Sequence, residues 1–396
     1  MNFKDLGLQP ALWQRCEQLG FSEPTPVQAQ AIPVILDGGD VIATAETGTG
    51  KTAAFLLPIL QRLNETRSKG TTVLVLSPTR ELANQTDAAC REFAQKRIKC
   101  ASIIGGAGYK NQLDAIRRGA NIIVATPGRL IDFLDQGVIN LSQVDTFVLD
   151  EADRMLDMGF MPAIRRIVKM LPKKRQTLFF SATMAPDIEK IALSLVTDPE
   201  YIEVSRGKAA VTIEQTAYPV AQQSKMPLLL DLLEKQDWKR VLVFTRTKRG
   251  ADRIAHILEK RSHSSNRIHG DRSQSQREAA LRSFKAGKTR VLVATDVAAR
   301  GIDIDSVSHV INYDIPEAPE DYVHRIGRTG RAGNTGRAIT LFTLAEEHTM
   351  RAIEKLMGEK VERVLLPDFG GIAMAASPRK PAGKRAFRSF RSRRGR

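Results

Sequence analysis

The 396 residues are 42% hydrophobic and 26% charged, enough for two domains with buried cores, which excludes a disordered chain, a collagen and a coiled-coil rod. Sixty basic against 44 acidic residues give a net charge of +16. No apolar run approaches the ~18 residues that a membrane-spanning helix needs.

The start, Met1-Asn2-Phe3-Lys4-Asp5, lacks the basic region and apolar core of a secretory signal. Cys16, Cys90 and Cys100 form no CxxC pair and lie near no histidine in metal-ligand spacing. They read as reduced thiols, which suits a cytoplasmic protein. Short β-branched runs at 40–45, 72–76, 122–126, 146–149 and 178–181 alternate with longer amphipathic stretches. Runs at 241–245, 291–295, 309–313 and 338–342 do the same in the second half. Strands apolar on successive positions are buried on both faces, so the pattern predicts α/β architecture with parallel sheets.

The halves repeat each other. Thr72-Val-Leu-Val-Leu-Ser-Pro-Thr-Arg-Glu-Leu-Ala83 matches Arg240-Val-Leu-Val-Phe-Thr-Arg-Thr-Lys-Arg-Gly-Ala251, and Asn121-Ile-Ile-Val-Ala-Thr126 matches Arg290-Val-Leu-Val-Ala-Thr295. The offsets, 168 and 169 positions, nearly preserve the spacing and predict two copies of one fold. The expected domains are 1–205 and 212–366, joined by a linker at 206–211. Residues 346–366 read as a final helix and a short extended piece. Residues 367–396 form an expected disordered tail. Nine basic and no acidic residues lie at 379–396, with Phe387 and Phe390 among them, which suits a tether for RNA.

Chemistry concentrates after two strands. The run at 40–45 leads into Glu46-Thr-Gly-Thr-Gly-Lys-Thr52 and a predicted helix, the setting of a phosphate-binding loop. Gly48 and Gly50 let backbone amides turn inward around phosphates, Lys51 reaches the β- and γ-phosphates, and the Thr52 hydroxyl ligates Mg2+. Ala45 replaces the usual first glycine. The strand at 146–149 ends in Asp150-Glu-Ala-Asp153, at the sheet edge where ligands bind. Asp150 suits a Mg2+-holding carboxylate and Glu151 a residue that orients or deprotonates water.

With these strings in place the chain resembles the DEAD-box ATP-dependent RNA helicases over roughly residues 1–345. Its compact core and short basic tail, with no folded C-terminal RNA-binding domain expected, look most like the bacterial RhlE subgroup. The resemblance implies two tandem RecA-like domains, ATP and Mg2+ as cofactors, RNA as partner, and a monomer. It implies local unwinding of short RNA duplexes when ATP and RNA close the domains, in ribosome assembly or RNA turnover. Gly20-Phe-Ser-Glu-Pro-Thr-Pro-Val-Gln28, with Phe3 upstream, resembles the Q motif. Phe3, Phe21, Thr25 and Gln28 would then join Thr47, Gly48, Thr49, Gly50, Lys51 and Thr52 at the nucleotide, with Gly301 and Asp303 from the second domain. Gln28 would read adenine. Ser181 and Thr183, hydrogen-bonded by Asp153, would couple hydrolysis to strand separation, with His324 linking the domains. Arg328 and Arg331, in His324-Arg-Ile-Gly-Arg-Thr-Gly-Arg331, resemble arginine fingers. Pro78, Thr79, Arg80, Gly105, Gly106, Thr126, Pro127, Gly128 and Arg129 resemble RNA-backbone contacts. So do Thr245, Arg246, Gln274, Arg277, Thr295 and Asp296 in the second half. Contacts to sugar and phosphate carry little sequence preference, and 2′-hydroxyl recognition favours RNA. A DNA translocase and a non-enzymatic RNA clamp are the competing readings. Stimulation of the ATPase by RNA against DNA separates the first, and multiple turnover excludes the second.

Overall fold

The computed structural model describes residues 1–45, 48–66, 70–94, 97–204, 213–235, 238–299, 307–330 and 336–369. The first sheet uses β1 (Val41–Ala45), β2 (Val73–Leu76), β3 (Cys100–Ile103), β4 (Ile122–Ala125), β5 (Thr146–Leu149), β6 (Gln176–Ser181) and β7 (Glu200–Val204). The second uses β8 (Ile213–Pro219), β9 (Val241–Phe244), β10 (Ser265–Ile268), β11 (Val291–Ala294), β12 (His309–Asn312), β13 (Gly336–Phe342) and β14 (Glu362–Arg363).

The strand orders are β3-β4-β2-β5-β6-β1-β7 and β10-β11-β9-β12-β13-β8-β14. Shifted by seven, the two are identical, and every pairing is parallel. The two matched sequence segments are equivalent strands, β2 with β9 and β4 with β11, paired from Val73↔Ile122 and Val291↔Val241. These are the tandem RecA-like domains implied by the motifs.

Alternating side chains explain the apolar runs. Along β6, Leu178 and Phe180 enter the core on one face, with Phe55 and Val27, while Phe179 enters the other with Phe133 and Phe147. In β9, Val241 and Val243 face one core and Leu242 and Phe244 the opposite one. Truncating one such phenylalanine to alanine costs about 3–5 kcal/mol. The packing holds the carboxyl ends of the strands, and the loops beyond them, in fixed register.

Two corrections concern the chain's end and the sheet edges. The fold continues to Phe369: Pro367–Phe369 form a 3-10 turn, and Phe369 packs against the core. Residues 206–211 and 370–396 lie outside the described residues. The edge strands β3 and β10 carry no continuous apolar run. Ser265–Ile268 pairs with one neighbour only, and three of its four residues are half-buried.

Candidate nucleotide site and RNA interface

β1 leads to Gly48 and Gly50, with φ of 88° and 89°, a conformation in which glycine avoids the Cβ clash of other residues. Helix Lys51–Thr66 follows, with Thr52 in its first turn. A Cβ on Gly50 would lie 2.3 Å from Nε2 of Gln28. That approach has a purpose: Gln28 accepts from the Thr25 amide at 2.9 Å and donates to the Gly50 carbonyl at 3.1 Å. The amide expected at a base thus ties its own helix start to the phosphate loop. Phe21 is exposed and lies tilted against Phe93, 5.9 Å between centroids. Phe3 departs from expectation: it is buried in the core with Leu6 and Leu12, and an apolar ring there gains more from packing than from a ligand. Lys51 is buried and donates to the Ala45 carbonyl at 2.7 Å, at the mouth of the loop. Thr49 lies between the two glycines, and Thr47 lies outside the described residues.

At the end of β5, Asp150 and Glu151 are both buried. Glu151 takes the left-handed conformation (φ 53°, ψ 53°), which turns the chain into helix Ala152–Asp157. Arg154, one turn on, donates to Oε2 of Glu151 at 2.6 Å. Burial opposes ionisation of Glu151, but Arg154, Lys51 and Arg328 together hold its carboxyl below the ordinary range. Asp150 goes the other way: burial and the neighbouring Glu151 charge push it up to about 7. Its Oδ1 is buried and finds no hydrogen-bond partner among the described residues. A carboxylate oxygen kept buried and unpaired fits a hard cation such as Mg2+.

Asp153 couples to β6. Its Oδ2 accepts from the amides of Ala182 and Thr183, both at 3.1 Å, and from the Thr183 hydroxyl at 3.3 Å. The Ser181 hydroxyl also bonds to Asp153, accepting from its backbone amide at 3.3 Å.

The second lobe meets the first here. Arg154 lines a narrow gap with Phe244, Asp296, Asp321, His324, Arg325 and Arg328. Arg328 is buried, and its charge acts on Glu151. Burial, aided by Arg154, lowers the His324 imidazole to about 4, so it is neutral at ordinary pH. Arg331, Gly301 and Asp303 lie outside the described residues.

The carboxyl ends of β2, β3 and β4 carry the first lobe's basic strip. Arg80 lies across Gly105–Gly106: a Cβ on Gly106 would come within 2.0 Å of its Nη1. The glycines thus seat an arginine. Thr79 caps helix Arg80–Phe93 by accepting from the Leu82 amide. Thr126 precedes helix Pro127–Asp135, which carries Gly128 and Arg129. A cleft of about 360 Å³ is lined by Pro78, Thr79, Arg80, Thr126, Gly128 and Arg129 from this lobe, and by Arg277 from the other. Burial, then Arg277, lowers the Arg80 pKa, with Glu81 opposing and Arg129 adding to the shift. Glu81 spans the lobes: its carboxylate pairs with Arg277 at 2.9 Å and accepts from Gln274 at 3.3 Å.

Other second-lobe residues are already engaged. Thr245 gives its hydroxyl hydrogen to Asp314 at 2.7 Å, so it has none left for a phosphate. Arg246 pairs with Glu346 at 2.9 Å. Thr295 is buried. Asp296, expected at RNA, is the counter-ion of Arg325, held through two bonds of 2.6 and 2.7 Å. An anion would repel phosphate, and here it has a buried guanidinium to neutralise.

Comparison with known proteins now decides the class. Residues 25–191 match the DEAD/DEAH box helicase family model and residues 224–333 match the helicase conserved C-terminal domain. The chain is 45% identical to the DEAD-box ATP-dependent RNA helicase CshA of Bacillus subtilis, over 93% of this chain and 74% of that protein. The chain belongs to the DEAD-box ATP-dependent RNA helicases. It is therefore an enzyme, an ATP hydrolase and RNA helicase. Relatives in Bacillus subtilis and Geobacillus kaustophilus, 45% identical to this chain, carry the name CshA, and the RhlE subgroup is not specifically supported.

Among solved structures, Dbp5 of S. cerevisiae bound to RNA and ADP BeF3 is 32% identical, with a TM-score of 0.83 over 92% of this chain and 95% of that one. A DEAD box protein of Methanococcus jannaschii is more identical, at 40%, but scores only 0.54 over 92% and 99%. Both matches span the two lobes, so this chain superposes more fully on the RNA-bound Dbp5 than on the Methanococcus protein despite the lower identity. No described helix is long and apolar enough to cross a membrane.

Sequence reasoning missed Arg154, Arg325 and Glu81. The spacing of Glu151 and Arg154, three apart at a helix start, was the available signal for one. Glu81 and Arg325 needed the fold.

Proposed function

We propose that this helicase opens short RNA duplexes locally, by closing its two lobes over ATP and one RNA strand. The observation that carries the reading is the meeting of Glu151, on the first lobe, with the charges of Arg328 and Arg154 in one buried site. In it Lys51 gives up the Ala45 carbonyl for the β- and γ-phosphates, and Arg328, with Arg331, balances charge that develops on the γ-phosphate. Glu151 is ionised but bonded to Arg154, which suits it to orient a water and makes it a poor proton acceptor. Asp150 and Thr52 would hold Mg2+, which supplies charge neutralisation at the phosphates. Gln28 and Phe21 would stand at the adenine, and Asp303 at the ribose.

RNA lies along Arg80, Arg129 and Arg277, held by backbone rather than base. Such a grip serves many targets, in keeping with ribosome assembly or RNA turnover in the cytoplasm. ATP and RNA each bridge the lobes, so each favours closure and the other's binding. The Asp153–Thr183 bonds link the hydrolytic loop to β6 and convey the state of the nucleotide.

The test is turnover with and without RNA. Lys51→Ala should lose ATP binding and hydrolysis. Glu151→Gln should keep ATP and RNA binding, stall hydrolysis and leave a long-lived complex. ATPase like the parent's in Lys51→Ala, or rapid RNA release from Glu151→Gln, would refute the assignment.

A further inference from the structure

Helix Pro127–Asp135 carries Arg129 in the cleft and, one turn on, the buried Phe133. The Arg129 guanidinium lies 5.9 Å from the centre of the Phe133 ring. Tyr109 begins the helix Tyr109–Arg117, just after the glycine turn that seats Arg80. Its ring stacks on Phe133, with centroids 4.8 Å apart and planes 20° apart. Its hydroxyl donates to Oε1 of Gln136 at 2.5 Å. The ring is thus held flat on one side and pinned at its tip, yet Tyr109 remains 39% exposed. Lys110, next to it, is exposed as well.

We propose that the exposed face of Tyr109 is a base-stacking platform for a nucleotide of single-stranded RNA flanking those held by the arginine cleft. This inference rests on the RNA reading above and names a further subsite. The contacts run from Arg129, in the cleft, through the buried Phe133 to the exposed Tyr109. A strand leaving the cleft on that side passes over a ring whose position is already fixed, so little freedom is lost when a base settles on it. Any base has a π face, so the platform adds affinity without sequence preference. Loss of one such stack typically weakens binding about five- to hundredfold. The adjacent Lys110 supplies a positive charge for the phosphate of the same nucleotide.

The test uses the full chain and two single-stranded RNAs, a short one that the cleft alone can hold and one about twice as long. Tyr109→Phe keeps the ring on Phe133 and loses only the tie to Gln136, so it should bind the shorter RNA like the parent and the longer one far better than Tyr109→Leu does. Tyr109→Leu keeps apolar packing on Phe133 and should weaken the longer RNA about fivefold or more, with the shorter unaffected. A single abasic nucleotide moved along the longer RNA should cost affinity at one flanking position in the parent and nothing there in Tyr109→Leu. Thermal melting of each variant reports folding. The proposal is overturned if Tyr109→Leu binds the longer RNA as tightly as the parent, if both RNAs weaken equally, or if the abasic scan is flat. Failure of the parent itself to bind either RNA would instead overturn the RNA reading.

Discussion

The Glu81–Arg277 pair makes lobe closure measurable as an interaction energy. The atoms are 2.9 Å apart, and the side chains keep only 9% and 12% of their exposure. Coulomb attraction at that distance is about 6 kcal/mol with an effective dielectric of 20. Desolvation of both groups on closure cancels much of this, and interface ion pairs measured by double-mutant cycles retain ~1.5–7 kcal/mol. The residual exposure favours the lower part of that range, about 1.5–2.7 kcal/mol, or roughly ten- to hundredfold in the closure constant. Removing Glu81 also leaves Arg277 facing Arg80 without an intervening acid. The assay is fluorescence transfer between dyes on the two lobes, with RNA and a non-hydrolysable ATP analogue saturating. Glu81→Gln, Arg277→Gln and the double variant complete the cycle. The single losses should overlap, so that the double variant is little worse than Arg277→Gln alone, which also gives up its place along the RNA. Additivity within about 0.3–0.5 kcal/mol would mean that the pair does not couple, and the reasoning would fail.

Two further outcomes are expected. Asp150, raised to about 7 from 3.8, binds a proton more tightly folded than unfolded, so its contribution to stability is full below about 4 and lost as pH rises through about 7. Without nucleotide, the melting temperature of Asp150→Asn should therefore gain on the parent's from pH 4 upward and level off above 7; a constant difference would refute the raised pKa. Deleting residues 379–396 removes nine positive charges, so RNA affinity should fall and its dependence on salt should flatten. An unchanged salt slope would reduce the tail to a solubility device.

Much of this was legible in the chain because buried parallel strands must be apolar on both faces. The runs before Lys51, Asp150 and Ser181 had no other use, and the repeated spacing of the matched segments foretold two equal sheets. Edge strands escaped because β10, Ser265–Ile268, needs to satisfy only one neighbour. At the site, the glycine-rich turn before Lys51 and the buried acidic string after β5 were legible as local features since each lies within a few residues. Glu81 was not, because its partner Arg277 lies in the other lobe, far along the chain. Phe3 was assigned to the nucleotide from its place upstream of a motif, and position in a sequence carries no information on which way a ring points.

Arg325 sits within the string His324 to Arg331, yet its bonds run inward. It holds Asp296 through two bonds, reaches Asn312 at 3.1 Å and the Asp314 carbonyl at 2.6 Å, and lies 5.0 Å over the Phe244 ring. Neighbouring arginines in one string can therefore fail for opposite reasons when replaced. An inactive variant at 325 would report a collapsed lobe, whereas one at 328, in the role proposed for it above, would report missing chemistry, and a screen that scores activity alone would file the two together.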